Sequence, residues 1–140
     1  MIVVDASVLA TALADDGDDG DHARERLHGQ VLTAPELIDL EVPSVLRRLL
    51  LRGDLPVRRA EQALVDLADL PLRRVPHRTL ISRCWSLREN VTIYDASYVA
   101  LAEALNVVLV TADARLSRAP GLRCQVEVLA RPSTLAGSAR

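Results

Sequence analysis

Asp5, Glu41, Asp95 and Asp113 are carboxylates standing where the surrounding pattern predicts apolar side chains. Asp5 closes the apolar run Ile2-Val3-Val4, and Asp113 follows Val107-Val108-Leu109-Val110 after Thr111 and Ala112. Glu41 and Asp95 interrupt the hydrophobic stripes of two predicted helices. A carboxylate in low dielectric is costly unless it is paired, protonated or bound to a metal. The chain has no lysine to neutralise these groups, and all 17 of its basic residues are arginine. Clustered carboxylates repel one another and raise one another's pKa values, so a shared divalent cation accounts for all of them together. Mg²⁺ is hard, prefers oxygen, and is usually held by one or two carboxylates with waters and phosphate oxygens. One such ion, or two about 4 Å apart, can activate a water and stabilise the leaving oxygen in phosphodiester cleavage.

Each acid also has a structural alternative. Asp5 and Asp113 could cap the helices that follow them, and Asp95 could be a first-turn residue favoured by the helix dipole. Glu41 lies three residues after Ile38 and four before Val45, on the buried stripe, where an ion pair to an arginine is its structural alternative. Pro43 lies in the same helix, where it removes a backbone donor and can kink the axis. It could instead mark a helix beginning at Leu40, with Glu41 in the first turn.

The elements that must position these residues alternate between strand and helix. Residues 2–4 predict a short buried strand and 7–14 a helix. The stretch 15–21 predicts a solvated acidic loop, which fails the calcium-loop template, with a helix at 21–29 after it. A strand at 31–33 ends by Pro35, and helical periodicity over 36–52 places Ile38, Val42, Val45, Leu46 and Leu49 on one face before Gly53. A helix at 56–69 begins on Pro56. A strand at 72–75, a helix at 78–89, a helix at 95–105, a buried strand at 107–110, a short helix near 113–118 and a strand near 125–129 complete the pattern. Strands separated by helices imply right-handed crossovers and a mainly parallel sheet covered on both faces. The expected fold class is a three-layer α/β/α domain with one unit over 1–130 and a flexible C-terminal tail over 131–140. In open parallel sheets ligands bind beyond the carboxyl ends of the strands. Asp5 and Asp113 occupy that end of the two most apolar strands, which would bring them together if those strands are neighbours.

Composition narrows the rest. The 140 residues are 49% hydrophobic with no Phe, so the core is Leu, Val, Ile and Ala. No apolar run approaches the ~20 residues that span a bilayer, and the start of the chain lacks a signal-peptide pattern. Cys84 and Cys124 have no metal-ligand spacing and read as reduced thiols of a cytoplasmic protein. The formal net charge of −2 becomes +2 once the four candidate site acids are set aside, which would suit a basic rim around an acidic centre.

Three strings then resemble the PIN-domain nucleases, in particular the VapC toxins of bacterial toxin–antitoxin pairs. They are Met1-Ile2-Val3-Val4-Asp5-Ala6-Ser7-Val8-Leu9, the stretch from Asn90 to Glu103 around Tyr94-Asp95-Ala96, and Thr111-Ala112-Asp113-Ala114-Arg115-Leu116. Glu41, followed by Arg47-Arg48, takes the place of that family's helical glutamate. The resemblance covers about residues 1–130. It implies a Mg²⁺- or Mn²⁺-dependent endoribonuclease with a PIN-like fold, inhibited by a cognate antitoxin and usually dimeric. By position it makes Asp5 and Asp95 the leading metal ligands. Asp113 would complete the cluster directly or through water, and Glu41 would orient water or share in binding. Ser7 and Thr111 would support the carboxylates with their hydroxyls, although capping is an equal alternative for both. Two positions depart from the family: Ser44 stands where Asn is frequent, and Pro43 lies beside it.

Phosphoryl-transfer domains of the receiver and haloacid-dehalogenase types also place acids at strand ends, but both need a site lysine and this chain has none. A non-catalytic PIN-like module that binds only RNA or a partner is the other reading. His22, His28 and His77 are scattered and predicted exposed, and Trp85 and Cys84 are predicted on a core-facing helix. Leu49-Leu50-Leu51 with helix 56–69 is more apolar than one core face needs, which suits either extra burial or an antitoxin or dimer contact. The adjacent arginines at 47, 48, 58, 59, 73 and 74 could meet phosphates, or form solvated helix faces.

Overall fold

A computed structural model describes residues 1–129; the flexible tail expected over 131–140 lies outside the described residues. Ile2–Val4 forms strand β1, whose side chains are all buried. The chain then runs through helices α1 (Ala6–Ala14) and α2 (Asp18–Leu27), strand β2 (Leu32–Pro35), helices α3 (Ile38–Leu51) and α4 (Val57–Asp69), and strand β3 (Leu72–Val75). A short 3-10 turn (Arg78–Leu80) leads into α5 (Ile81–Ser86), followed by α6 (Ile93–Leu105), β4 (Leu109–Thr111), α7 (Ala114–Ser117) and β5 (Val126–Val128).

The sheet order is β3-β2-β1-β4-β5. Every pairing is parallel, with Val3 opposite both Thr33 and Leu109 in register. β1 and β4 are therefore neighbours at the centre, buried on both sides as their unbroken apolar runs require. On one face α6 packs across β1, β2 and β4, with α5 outside it. α1 packs against α2, α3 and α4 on the other. The result is a three-layer α/β/α fold. Among the described residues no helix is long and apolar enough to cross a membrane.

Several predicted boundaries move for identifiable reasons. The acidic stretch expected as a loop over 15–21 is helical from Asp18, because Asp18, Asp19 and Asp21 fall in the first turn of α2, where the helix dipole favours negative charge. Gly20 is essential to that start: a Cβ there would lie 1.7 Å from the carbonyl oxygen of Asp15. Pro56 caps α4 from outside its first turn. The helix expected over 78–89 is only a 3-10 turn and the six residues of α5. Trp85, expected in the core, is 61% exposed, with the Arg88 guanidinium 4.8 Å from its ring centroid. Cys84, its neighbour, is buried as expected.

Candidate metal-dependent active site

Asp5 leaves β1 and is the N-cap of α1, so the capping alternative holds alongside any role in chemistry. Its carboxylate is tied to the far end of the chain. Ser7 Oγ donates to Oδ1 at 2.6 Å, the Val8 N–H donates to the same oxygen at 3.1 Å, and the Thr111 hydroxyl donates to Oδ2. Both hydroxyls are themselves anchored on the loop after β4. Ser7 Oγ accepts from the Ala112 N–H at 3.3 Å, and Thr111 Oγ1 accepts from the Asp113 N–H at 3.0 Å. Ser7 and Thr111 thus each donate a hydroxyl to the Asp5 carboxylate. Burial pushes the Asp5 pKa up, more than these three donors lower it, and the charge of Asp95 adds to the rise.

Asp95 lies in the first turn of α6, whose N-cap is Thr92; the Asp95 N–H donates to Thr92 Oγ1 at 3.1 Å. Burial raises its pKa against the help of Thr92, with Asp113 adding repulsion and Arg115 relieving part of it. Asp113 is the N-cap of α7 and accepts from the Arg115 N–H at 2.9 Å and from its guanidinium at 3.2 and 3.3 Å. Those bonds hold its pKa below the usual carboxylate range despite some burial.

Glu41 sits in the first turn of α3, not deep inside it. The helix starts at Ile38, so neither the start at 36 nor the start at Leu40 holds, and the argument that Glu41 must interrupt a mid-helix stripe falls. Ile38, Val42 and Leu46 carry the buried stripe, while Ser44 is exposed. Instead of an arginine, Glu41 meets a tyrosine: Tyr98 Oη donates to Oε1 at 2.6 Å. Burial raises the Glu41 pKa, Tyr98 lowers it, and the charges of Asp95 and Asp5 raise it again.

Four acids from β1, α3, α6 and the β4–α7 junction therefore act on one another electrostatically. Asp5, Glu41 and Asp95 form the repelling centre, and Asp113 joins it through Asp95. They do not form a closed cage: among the described residues, no three His, Cys, Asp or Glu side chains are gathered closely enough to hold a metal by themselves. The arrangement is open. Hard oxygen donors and buried carboxylates that repel one another fit Mg²⁺ or Mn²⁺, which leave much of their coordination to water and substrate.

The sequence missed Tyr98 and His77. Tyr98 stands one turn beyond Asp95, and that i, i+3 spacing was its signal. His77, expected exposed, is half-buried, and its Nε2 accepts the Leu37 N–H at 2.9 Å at the uncapped start of α3. Arg59 and Arg74, considered for phosphate contact, are engaged with Asp16 and Asp39. The apolar excess is real, with Leu51, Val57 and Val65 at least half exposed.

A family model for the PIN domain matches residues 2–122. The chain is 45% identical over 131 residues to VapC ribonuclease Mb0985 of Mycobacterium bovis, spanning 94% of this chain and 100% of that protein. It is 44% identical over 128 residues to Ribonuclease VapC1 of Mycobacterium tuberculosis, spanning 91% and 96% respectively. Among solved structures, PAE2754 from Pyrobaculum aerophilum aligns with a TM-score of 0.67 at 24% identity, over 99% of this chain and 90% of that one. VapBC2 from Rickettsia felis, bound to a DNA fragment from their promoter, aligns with a TM-score of 0.66 at 14% identity, over 93% and 100%. At those identities the two structures show a common fold.

Proposed function

The chain belongs to the PIN domain family and to its VapC branch, and from that premise we propose that it is a Mg²⁺- or Mn²⁺-dependent endoribonuclease acting as the toxin of a toxin–antitoxin pair. The observation that carries the metal-dependent chemistry is the set of three mutually repelling carboxylates, Asp5, Glu41 and Asp95, each with a pKa raised by burial. Such a set is costly to keep ionised without a cation. A bound divalent cation would offset that cost.

Asp5 and Asp95 would hold the ion, with Asp113 and Glu41 reaching it directly or through water. Bound there, the ion would polarise the scissile phosphate and acidify the attacking water. The chain's own groups do the positioning. Ser7, Thr111 and the Val8 N–H fix the Asp5 carboxylate on both oxygens, leaving part of its lone-pair capacity free. Arg115, exposed beside Asp113, would offer its guanidinium to a substrate phosphate. A protein antitoxin partner is supported by the named VapC relatives and by the toxin–antitoxin complexes that share the fold. A homodimer is part of the same proposal, and the exposed apolar residues of α3 and α4 suit either contact.

Asp5→Asn and Asp95→Asn should each reduce Mg²⁺-dependent RNA cleavage by at least about 100-fold, as expected when a metal ligand is lost, while far-ultraviolet circular dichroism stays that of the wild type. Cleavage by both purified variants at the wild-type rate would remove the proposal.

A further inference from the structure

We infer that Tyr98 is the positioning residue of Glu41, holding that carboxylate toward the acidic centre through its hydroxyl; the inference rests on the nuclease reading above. Among the described residues, Tyr98 Oη is the hydrogen-bond donor to the Glu41 carboxylate, at 2.6 Å. Asp5, by contrast, has three donors, and Asp113 has the backbone and guanidinium of Arg115.

Glu41 needs such a partner because its own helix orients it weakly. The N-cap of α3, Leu37, offers no side-chain bond. Pro43 deletes the backbone donor that would close on the Asp39 carbonyl. Leu40, the residue before Glu41, is 73% exposed and packs on little. The first turn is tethered instead from outside, by His77 on the Leu37 N–H and by Arg74 on Asp39. Those contacts fix the backbone of α3 and leave the Glu41 side chain to Tyr98.

Tyr98 is suited to the task. It is 2% exposed on α6, a rigid helix packed across the centre of the sheet, so its ring has no freedom to swing. It lies three residues after Asp95, which places both on one side of α6. The charges of Glu41, Asp5 and Asp95 all act on its hydroxyl, which therefore stands among the acids rather than beside one of them. Burial, followed by the bond to Glu41, pushes its ionisation far above the normal phenol range. It stays a neutral donor whenever the carboxylates are charged. A single bond thus joins the acid on α3 to the helix that carries Asp95, and it leaves Oε2 of Glu41 free.

The test is Tyr98→Phe, which keeps the buried ring and removes one oxygen, in wild-type and E41Q backgrounds. RNA cleavage is resolved into kcat and KM, and Mn²⁺ binding to the metal-free protein is titrated by calorimetry. The expected result is a fall of about 10-fold or more in kcat and in Mn²⁺ affinity, with KM for RNA unchanged and cooperative thermal unfolding retained. In the E41Q background Y98F adds no further loss of Mn²⁺ affinity, because the carboxylate it would orient is gone. Wild-type kcat and Mn²⁺ affinity in Y98F would overturn the inference. So would an equal loss of Mn²⁺ affinity in both backgrounds, the mark of a general packing effect. A wild-type protein that cuts no RNA would instead sink the nuclease reading, and the Mn²⁺ titrations would still decide the role of Tyr98.

Discussion

At the scale of single residues, the acids of the site weaken the fold that carries them. Asp5, Glu41 and Asp95 all have folded-state pKa values raised above those of the unfolded chain, burial being the largest cause in each. Between the ordinary and the raised value the native state binds more protons than the unfolded one. Stability of the metal-free protein therefore falls as pH rises through that window, and above it the penalty is complete. Asp95→Asn should accordingly raise the melting temperature of the metal-free protein at neutral pH, measured by scanning calorimetry in a chelator. A lower melting temperature would mean that the interaction with Thr92 outweighs burial. Asp5 and Asp113 were legible in the sequence because each closes an apolar strand, and adjacency of those strands was a reasonable inference from their hydrophobicity. Glu41 was found for a partly mistaken reason, since it lies in a first turn where acids are common. Spacing from Asp95 puts Tyr98 on the same side of α6, but its bond to Glu41 arises only where α3 meets α6, and the bond of His77 to Leu37 only from the turn after β3.

At the scale of elements, α6 keeps the C-terminal end that its sequence pattern predicts, at Leu105. Its C-cap, Asn106, adopts a left-handed conformation with φ 55°, a position that Asn tolerates better than most residues. Near that end Glu103 joins a helix and a loop to α6. It accepts from Arg83 Nε and Nη2 at 2.7 and 3.0 Å, and from the Arg123 N–H at 2.7 Å, pinning α5 and the loop before β5 onto α6. Burial alone would raise the Glu103 pKa, but these donors outweigh it and hold the group below the ordinary glutamate range. With the folded value depressed, its contribution is present above the unfolded pKa and is lost as pH falls through the folded one. Glu103→Gln should cost about 1–3 kcal/mol at neutral pH, read from urea unfolding, and the deficit should shrink in acid. A deficit independent of pH would assign the loss to packing. With Arg83 bonded to Glu103 and Leu87 in the core, Trp85 lies on the outer side of α5.

At the scale of the whole molecule, alternation of strand and helix was enough to predict a parallel sheet in three layers, whereas the full strand order depended on pairings that only the assembled fold reveals. If the acidic centre is a metal site, ligand linkage acts on the entire domain: an ion that binds only the native state stabilises it by about 2.7 kcal/mol at about a hundredfold excess over Kd. The melting temperature should climb with Mg²⁺ concentration, return on adding a chelator, and stay flat in a D5N/D95N double variant. A wild-type midpoint indifferent to Mg²⁺ would remove the metal from the account. The bond from Thr111 to Asp5 spans 106 residues, and this separation has a temporal meaning. A ribosome releases Asp5 almost at once and Thr111 only when most of the polypeptide has been made. Central strand β1 must wait unpaired on one side until β4 emerges, so a nascent chain carries its acids apart.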